Sequence, residues 1–114
     1  MEYRVDQVFD EENGCWRVSL AGEVDIFNSE TFKESLFDMI NQKEADLVID
    51  CADLEYIDST ALGALVSVMK RVKGYDGAIS LVNIRAALAK LFRITGLDSA
   101  FHISGVERHG DGNG

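Results

Sequence analysis

The chain contains no proline, so none of its turns depends on a cis X–Pro bond and none of its helices is ended by a missing N–H. Cysteine is scarce: Cys15 and Cys51 form no Cys-x-x-Cys pair and no cluster with zinc-ligand spacing. They fall on separate predicted strands and read as small buried apolar side chains rather than as a disulfide. Positive charge is also in short supply, with 11 Lys and Arg against 20 Asp and Glu for a net charge of −9. Nucleic-acid binders neutralise phosphates with Lys and Arg, so this balance argues against direct nucleic-acid contact. It suits steering of a basic protein partner instead. No apolar run approaches the length of a membrane span, and Met1-Glu2-Tyr3-Arg4 lacks the apolar stretch of a signal peptide. The expectation is a cytoplasmic protein without membrane contact.

What is present is an ordinary globular mixture, 46% apolar and 27% charged over 114 residues, enough for one domain with one core. Residues Tyr3 to Phe9 alternate as a half-exposed strand. Asn13-Gly14 is a hairpin signal, and Cys15 to Ala21 returns as a second strand, paired antiparallel to the first. Gly22 to Ile26 reads as a loop, followed by a helix that Asn28 or Ser29 caps and that carries Phe32, Leu36, Phe37, Met39 and Ile40 inward. Leu47 to Cys51 is a short apolar interior strand. A second helix runs to about Lys73, Gly74 to Gly77 punctuates the chain, and Ala78 to Val82 is another strand. A third helix spans Arg85 to Arg93 with Gly96 at its C-terminal cap, before a short last strand at Ala100 to Ile103. This order predicts a single α/β domain with a mixed central sheet, an N-terminal β-hairpin and helical crossovers over residues 1–104, and a flexible polar tail over residues 105–114.

The informative stretch is Asp53-Leu54-Glu55-Tyr56-Ile57-Asp58-Ser59-Thr60-Ala61-Leu62-Gly63. It leaves the interior strand and enters a helix whose apolar positions are Ala61, Leu62, Leu65, Val66, Val68, Met69 and Val72. Ser59 stands directly before that pattern and is a preferred N-cap type. Such a turn gathers backbone N–H groups and the positive end of the helix dipole. A hydroxyl there is placed to receive a phosphate, close to two negative charges, beside Asp58 and near Glu55 and Asp53. The plainer reading is a cap alone, worth about 1 kcal/mol. Because sites in such sheets open at the carboxyl ends of strands, the Gly22–Asp25 segment should face the same edge as Ser59.

Enzymatic readings find little support. A hydrolase serine needs a histidine base held by an acid; His102 has no evident orienting acid, His109 lies in the tail, and there is no Gly-x-Ser-x-Gly elbow. The pairs Glu23/Asp25 and Asp53/Asp58 have no diagnostic metal or glycosidase spacing and suit loop fixing, partner contact or, for Asp25, helix capping. Gly74-Tyr75-Asp76-Gly77 precedes a strand, so it is no phosphate loop. Lys70, Arg71, Lys73, Arg85, Lys90 and Arg93 form a basic set on the second and third helices, read as a solvated face or an acidic partner's contact.

Asp58-Ser59-Thr60-Ala61-Leu62-Gly63 resembles the Asp-Ser-Ser/Thr-Gly-Leu-Gly signature of the bacterial anti-sigma-factor antagonists, the STAS-domain family. Gly22-Glu23-Val24-Asp25 and Lys90-Leu91-Phe92…Gly96-Leu97 resemble two further family segments, in family order and spacing over Val5 to Ile103. Ala61 departs from the family glycine. The resemblance implies a STAS fold and an antagonist that binds an anti-sigma factor, itself a serine kinase using ATP and Mg²⁺. That kinase would phosphorylate Ser59, with Thr60 as fallback, and so switch binding off, and a phosphatase would reverse it. Sigma-factor-dependent transcription would follow the switch. Glu23, Asp25, Asp58, Ser59, Thr60 and Leu62 are then the partner-binding residues. The chain itself would be a kinase substrate, not an enzyme, and would need no cofactor. Some STAS domains are associated with nucleotides, which leaves weak binding near the switch turn as a family-level possibility. The competing expectation is a constitutive STAS scaffold module that uses the same surface without phosphorylation.

Overall fold

A computed structural model describes residues 2–107. The elements are β1 (Arg4–Asp10), β2 (Cys15–Val24), α1 (Ser29–Gln42), β3 (Asp46–Ile57), α2 (Ser59–Lys73), β4 (Ile79–Val82), α3 (Ala86–Ile94), a 3₁₀ turn (Leu97–Ser99) and β5 (His102–Ser104). The sheet runs in the order β1-β2-β3-β4-β5. The β1–β2 hairpin is antiparallel and all other pairings are parallel. The expected mixed sheet with helical crossovers is therefore the observed fold.

Each crossover steps to the next strand in the same direction. The right-handed rule then puts α1, α2 and α3 over one face. Packing agrees: Phe32 of α1, Leu65 of α2 and Phe92 of α3 border one small apolar cavity with Ile49 and Leu81 of the sheet. The opposite face carries the registered row Val8, Arg17, Val48, Ser80 and His102, exposed or half-buried. Cys15 and Cys51 are buried and free, and burial pushes the Cys51 thiol up to about 12.

Three local expectations need correction. Strand β3 does not end at Cys51 but continues to Ile57. Between Asp50 and Asp53, and again between Leu54 and Tyr56, it holds one residue more than β2. These bulges shift the buried positions from every second residue (Leu47, Ile49, Cys51) to every third (Leu54, Ile57), which breaks the alternation that marks a strand. Gly22 to Val24 is the end of β2 rather than loop. Gly22 has φ +87, and a Cβ there would collide with the Glu2 carbonyl oxygen, so only glycine fits beneath the N-terminal segment.

The third correction concerns α1. Asn28 occupies its N-cap position but makes no capping bond. At the other end of the fold, Gly96 follows α3 at φ +77, as expected of a left-handed helix stop. Past Ser104, the Glu107 N–H donates to the Ile84 carbonyl and the Glu107 carbonyl accepts from Ala86 N–H, both at 2.8 Å. Ordered contacts thus run beyond the expected boundary. Residues 108–114, including His109, lie outside the described residues.

Candidate functional site

Parallel strands β2 and β3 finish level with each other, Val24 opposite Ile57. The Asp58 N–H then donates to the Val24 carbonyl (3.2 Å), which carries the ladder one step past the strands. A single residue separates β3 from α2, and that residue is the cap. Asp58 Oδ1 accepts from Thr60 N–H (3.0 Å) and Ala61 N–H (3.1 Å), and from the Thr60 hydroxyl (2.6 Å). Its other oxygen, Oδ2, accepts from Ile26 N–H (3.0 Å). One carboxylate therefore closes the helix start and fastens it to the β2–α1 bend. The Thr60 hydroxyl first, then the amides of Ala61, Thr60 and Ile26, hold the Asp58 carboxyl below its ordinary range.

This corrects the expected capping. Asp58 takes the N-cap, and Ser59 is the first residue of the helix, with its side chain exposed. An aspartate is as good a cap as a serine, and its second oxygen is free for Ile26, which a lone hydroxyl could not match. The helix-end amides of Thr60 and Ala61 are consequently occupied, so they are not open donors for an incoming phosphate. No side-chain hydrogen bond among the described residues involves the Ser59 hydroxyl, whereas that of Thr60 is donated to Asp58.

The bend is tied in the same manner. Asn28 Nδ2 donates to the Glu23 carbonyl (2.9 Å), and Asn28 Oδ1 accepts from Asp25 N–H (2.9 Å). Asp25 Oδ1 accepts from Phe27 N–H (2.9 Å), so Asp25 fixes the bend rather than capping α1. Glu23 sits opposite Tyr56 in the ladder. Of the expected site residues, Glu23, Asp25, Asp58, Ser59 and Thr60 gather at this one edge. Leu62 packs partly into the core. Ala61 is fully buried, so its methyl group fills core space.

A shallow groove between α1 and α2 begins at Thr60 and continues past Gly63, Ala64 and Ser67, with Ser29, Glu30 and Lys33 on the other wall. A Cβ on Gly63 would meet nothing within 4 Å. In the basic set, Arg93 lies in the last turn of α3 and Arg85 at its N-cap. Lys70, Arg71 and Lys73 close α2, far from Arg85 at the start of α3, and Arg71 donates to Asn41 Oδ1 (2.8 Å). Sequence reasoning missed the side chains on the bend: Ile26, Phe27 and nearby Tyr56 are 66%, 91% and 48% exposed. The signal was an apolar pair between Asp25 and Asn28 that no helical or strand period accounts for.

Among the described residues, no helix is long and apolar enough to cross a membrane. The family model for the STAS domain matches residues 7–109. The chain is 38% identical over 94 residues to the anti-sigma-B factor antagonist of Bacillus subtilis, covering 82% of this chain and 85% of that one. An anti-sigma factor antagonist from Mycobacterium paratuberculosis superposes with a TM-score of 0.70 at 21% identity, covering 89% of this chain and 86% of that one. SpoIIAA, a Bacillus cell fate determinant solved in its phosphorylated form, superposes with a TM-score of 0.67 at 20% identity, covering 90% of each. At these identities the two structures speak to the fold.

Proposed function

The chain belongs to the STAS-domain family, and from that premise we propose that it is an anti-sigma-factor antagonist switched by phosphorylation of Ser59. Unmodified, it binds an anti-sigma factor at the edge formed by Glu23, Asp25, Asp58, Ser59 and Thr60, and so releases a sigma factor. The partner is a serine kinase; the Ser59 oxygen takes the γ-phosphoryl group of ATP, ADP leaves, and the hydroxyl proton passes to a base on the kinase. A phosphatase restores the hydroxyl by hydrolysis. The setting is the cytoplasm, where sigma factors act, and the chain works by binding rather than catalysis.

The observation that carries this reading is the exposed Ser59 hydroxyl beside a carboxylate that locks both halves of the surface together. Between the two hydroxyls, Ser59 is the acceptor, because Thr60 is half-buried and its proton is held by Asp58. Phosphate adds close to two negative charges next to Asp58. Asp58 already engages the amides of Thr60 and Ala61, so those two helix-end donors do not compensate that charge once a partner excludes water. Like charges at an interface cost several kcal/mol, enough to release the partner without refolding the domain.

The test is the affinity of wild type, Ser59→Ala and Ser59→Asp for the cognate anti-sigma factor. Wild type and Ser59→Ala should bind alike, and Ser59→Asp about a hundredfold more weakly. Equal binding by all three would remove the switch and favour a constitutive scaffold.

A further inference from the structure

Single exposed apolar side chains are common on soluble proteins, but Ile26 and Phe27 are adjacent, and Phe27 is 91% exposed. Their backbone is not loose. The N–H groups of Asp25, Ile26 and Phe27 donate in turn to Asn28 Oδ1, Asp58 Oδ2 and Asp25 Oδ1, and that of Asn28 to the Asp25 carbonyl. Four consecutive amides are thus satisfied while the side chains they carry stand in water. The tip adjoins the phosphorylation surface, since the Ile26 amide lies 3.0 Å from the carboxylate of the residue before Ser59. Its immediate surroundings are acidic: Glu23, Asp25 and Asp58 flank the bend, while Glu30 in the first turn of α1 is paired with Lys33 (3.3 Å).

We propose that the Ile26–Phe27 tip is the apolar anchor of this chain, with Phe27 entering an apolar pocket on the same protein that engages Ser59, and Lys or Arg on that pocket's rim facing Glu23 and Asp25. The proposal rests on the function given above and adds how the partner is held. A tip fixed before contact loses little entropy on docking, and an aromatic side chain seated in a pocket dominates many interfaces. It also strengthens the switch. Closing an apolar pocket beside Ser59 strips water from any phosphate there, and the uncompensated charge opposes docking.

The experiment is a titration of the cognate anti-sigma factor with wild type, Phe27→Ala, Phe27→Leu, Ile94→Ala and Ser59→Asp, with urea denaturation of each variant. Phe27→Ala should bind about thirtyfold more weakly at unchanged stability, because the side chain contacts solvent in the free protein. Phe27→Leu should recover most of the loss, and Ile94→Ala, exposed on α3, should bind as wild type. Wild-type affinity for Phe27→Ala overturns the anchor. If Ser59→Asp is still weakened in that titration, the switch survives without the anchor; if the cognate anti-sigma factor does not bind even wild type, both fall.

Discussion

Helices α2 and α3 both start where a parallel strand ends, on the same edge of the sheet, but their first turns are finished differently. At α2 the cap is a side chain: Asp58 accepts from Thr60 and Ala61 and reaches across to Ile26. At α3 the residue in the cap position is Arg85, which makes no side-chain cap. Its first amide, Ala86 N–H, is met by the Glu107 carbonyl of the returning chain. The start closed by distant backbone has no hydroxyl to offer, since its first two residues are Ala86 and Ala87. One closed by its own neighbouring carboxylate leaves the next residue, Ser59, facing solvent. Of these two starts, that of α2 is open and that of α3 is shut by the returning chain, and the candidate chemistry lies at the open one.

Among changes at the two helix starts, removing the clamp should have the largest effect. Asp58→Ala deprives α2 of its cap and cuts the Ile26 tie. Partner affinity should fall on the order of tenfold, as for the loss of a hydrogen bond to a charged group, and urea denaturation should show a less stable fold. The same carboxylate gives the pH dependence a sign. Its folded pKa is depressed, so its stabilisation is full above the ordinary value and is lost as pH falls through the folded value. Below about pH 4, wild type should lose stability more steeply than Asp58→Asn. Similar slopes would mean that the clamp does not hold the carboxylate in its charged form.

A smaller effect is expected from opening the shut end. A chain ending at Ser104 lacks the two Glu107 backbone bonds and should be less stable by about 1–3 kcal/mol in urea denaturation. Its binding and phosphorylation at Ser59 should be unchanged; loss of both would show that the two helix starts are not independent. Smallest is Gly63→Ala on the wall of the α1–α2 groove. The position is helical, exposed and uncrowded, so alanine should stabilise the fold by about 0.5–1 kcal/mol. If affinity drops at the same time, the glycine is there to let a partner approach closely. If affinity is unchanged, the groove is bystander surface.

The hairpin and the order of strands and helices were legible because each rests on a local signal: Asn13-Gly14 for the turn, apolar periodicity for the helices, Gly96 for the end of α3. The meeting of Asp58 with the Gly22–Asp25 segment was legible from topology. The last half of β3 was not, because its two bulges erase the period on which strand assignment depends. The cap was misplaced by one residue because serine and aspartate are near-equal caps; a bond to Ile26, 32 residues away, decides between them. Phe27 escaped because core reasoning tracks buried side chains, and its place is in solvent.

The most direct test follows where phosphate goes. After incubation with the cognate anti-sigma factor and Mg²⁺-ATP, fragment mass spectrometry of wild type, Ser59→Ala and Thr60→Ala should place a single phosphate on Ser59 in wild type and in Thr60→Ala, and none in Ser59→Ala. Phosphate on Thr60, or an unmodified Ser59 in a chain that nonetheless binds and releases its partner, would contradict the account.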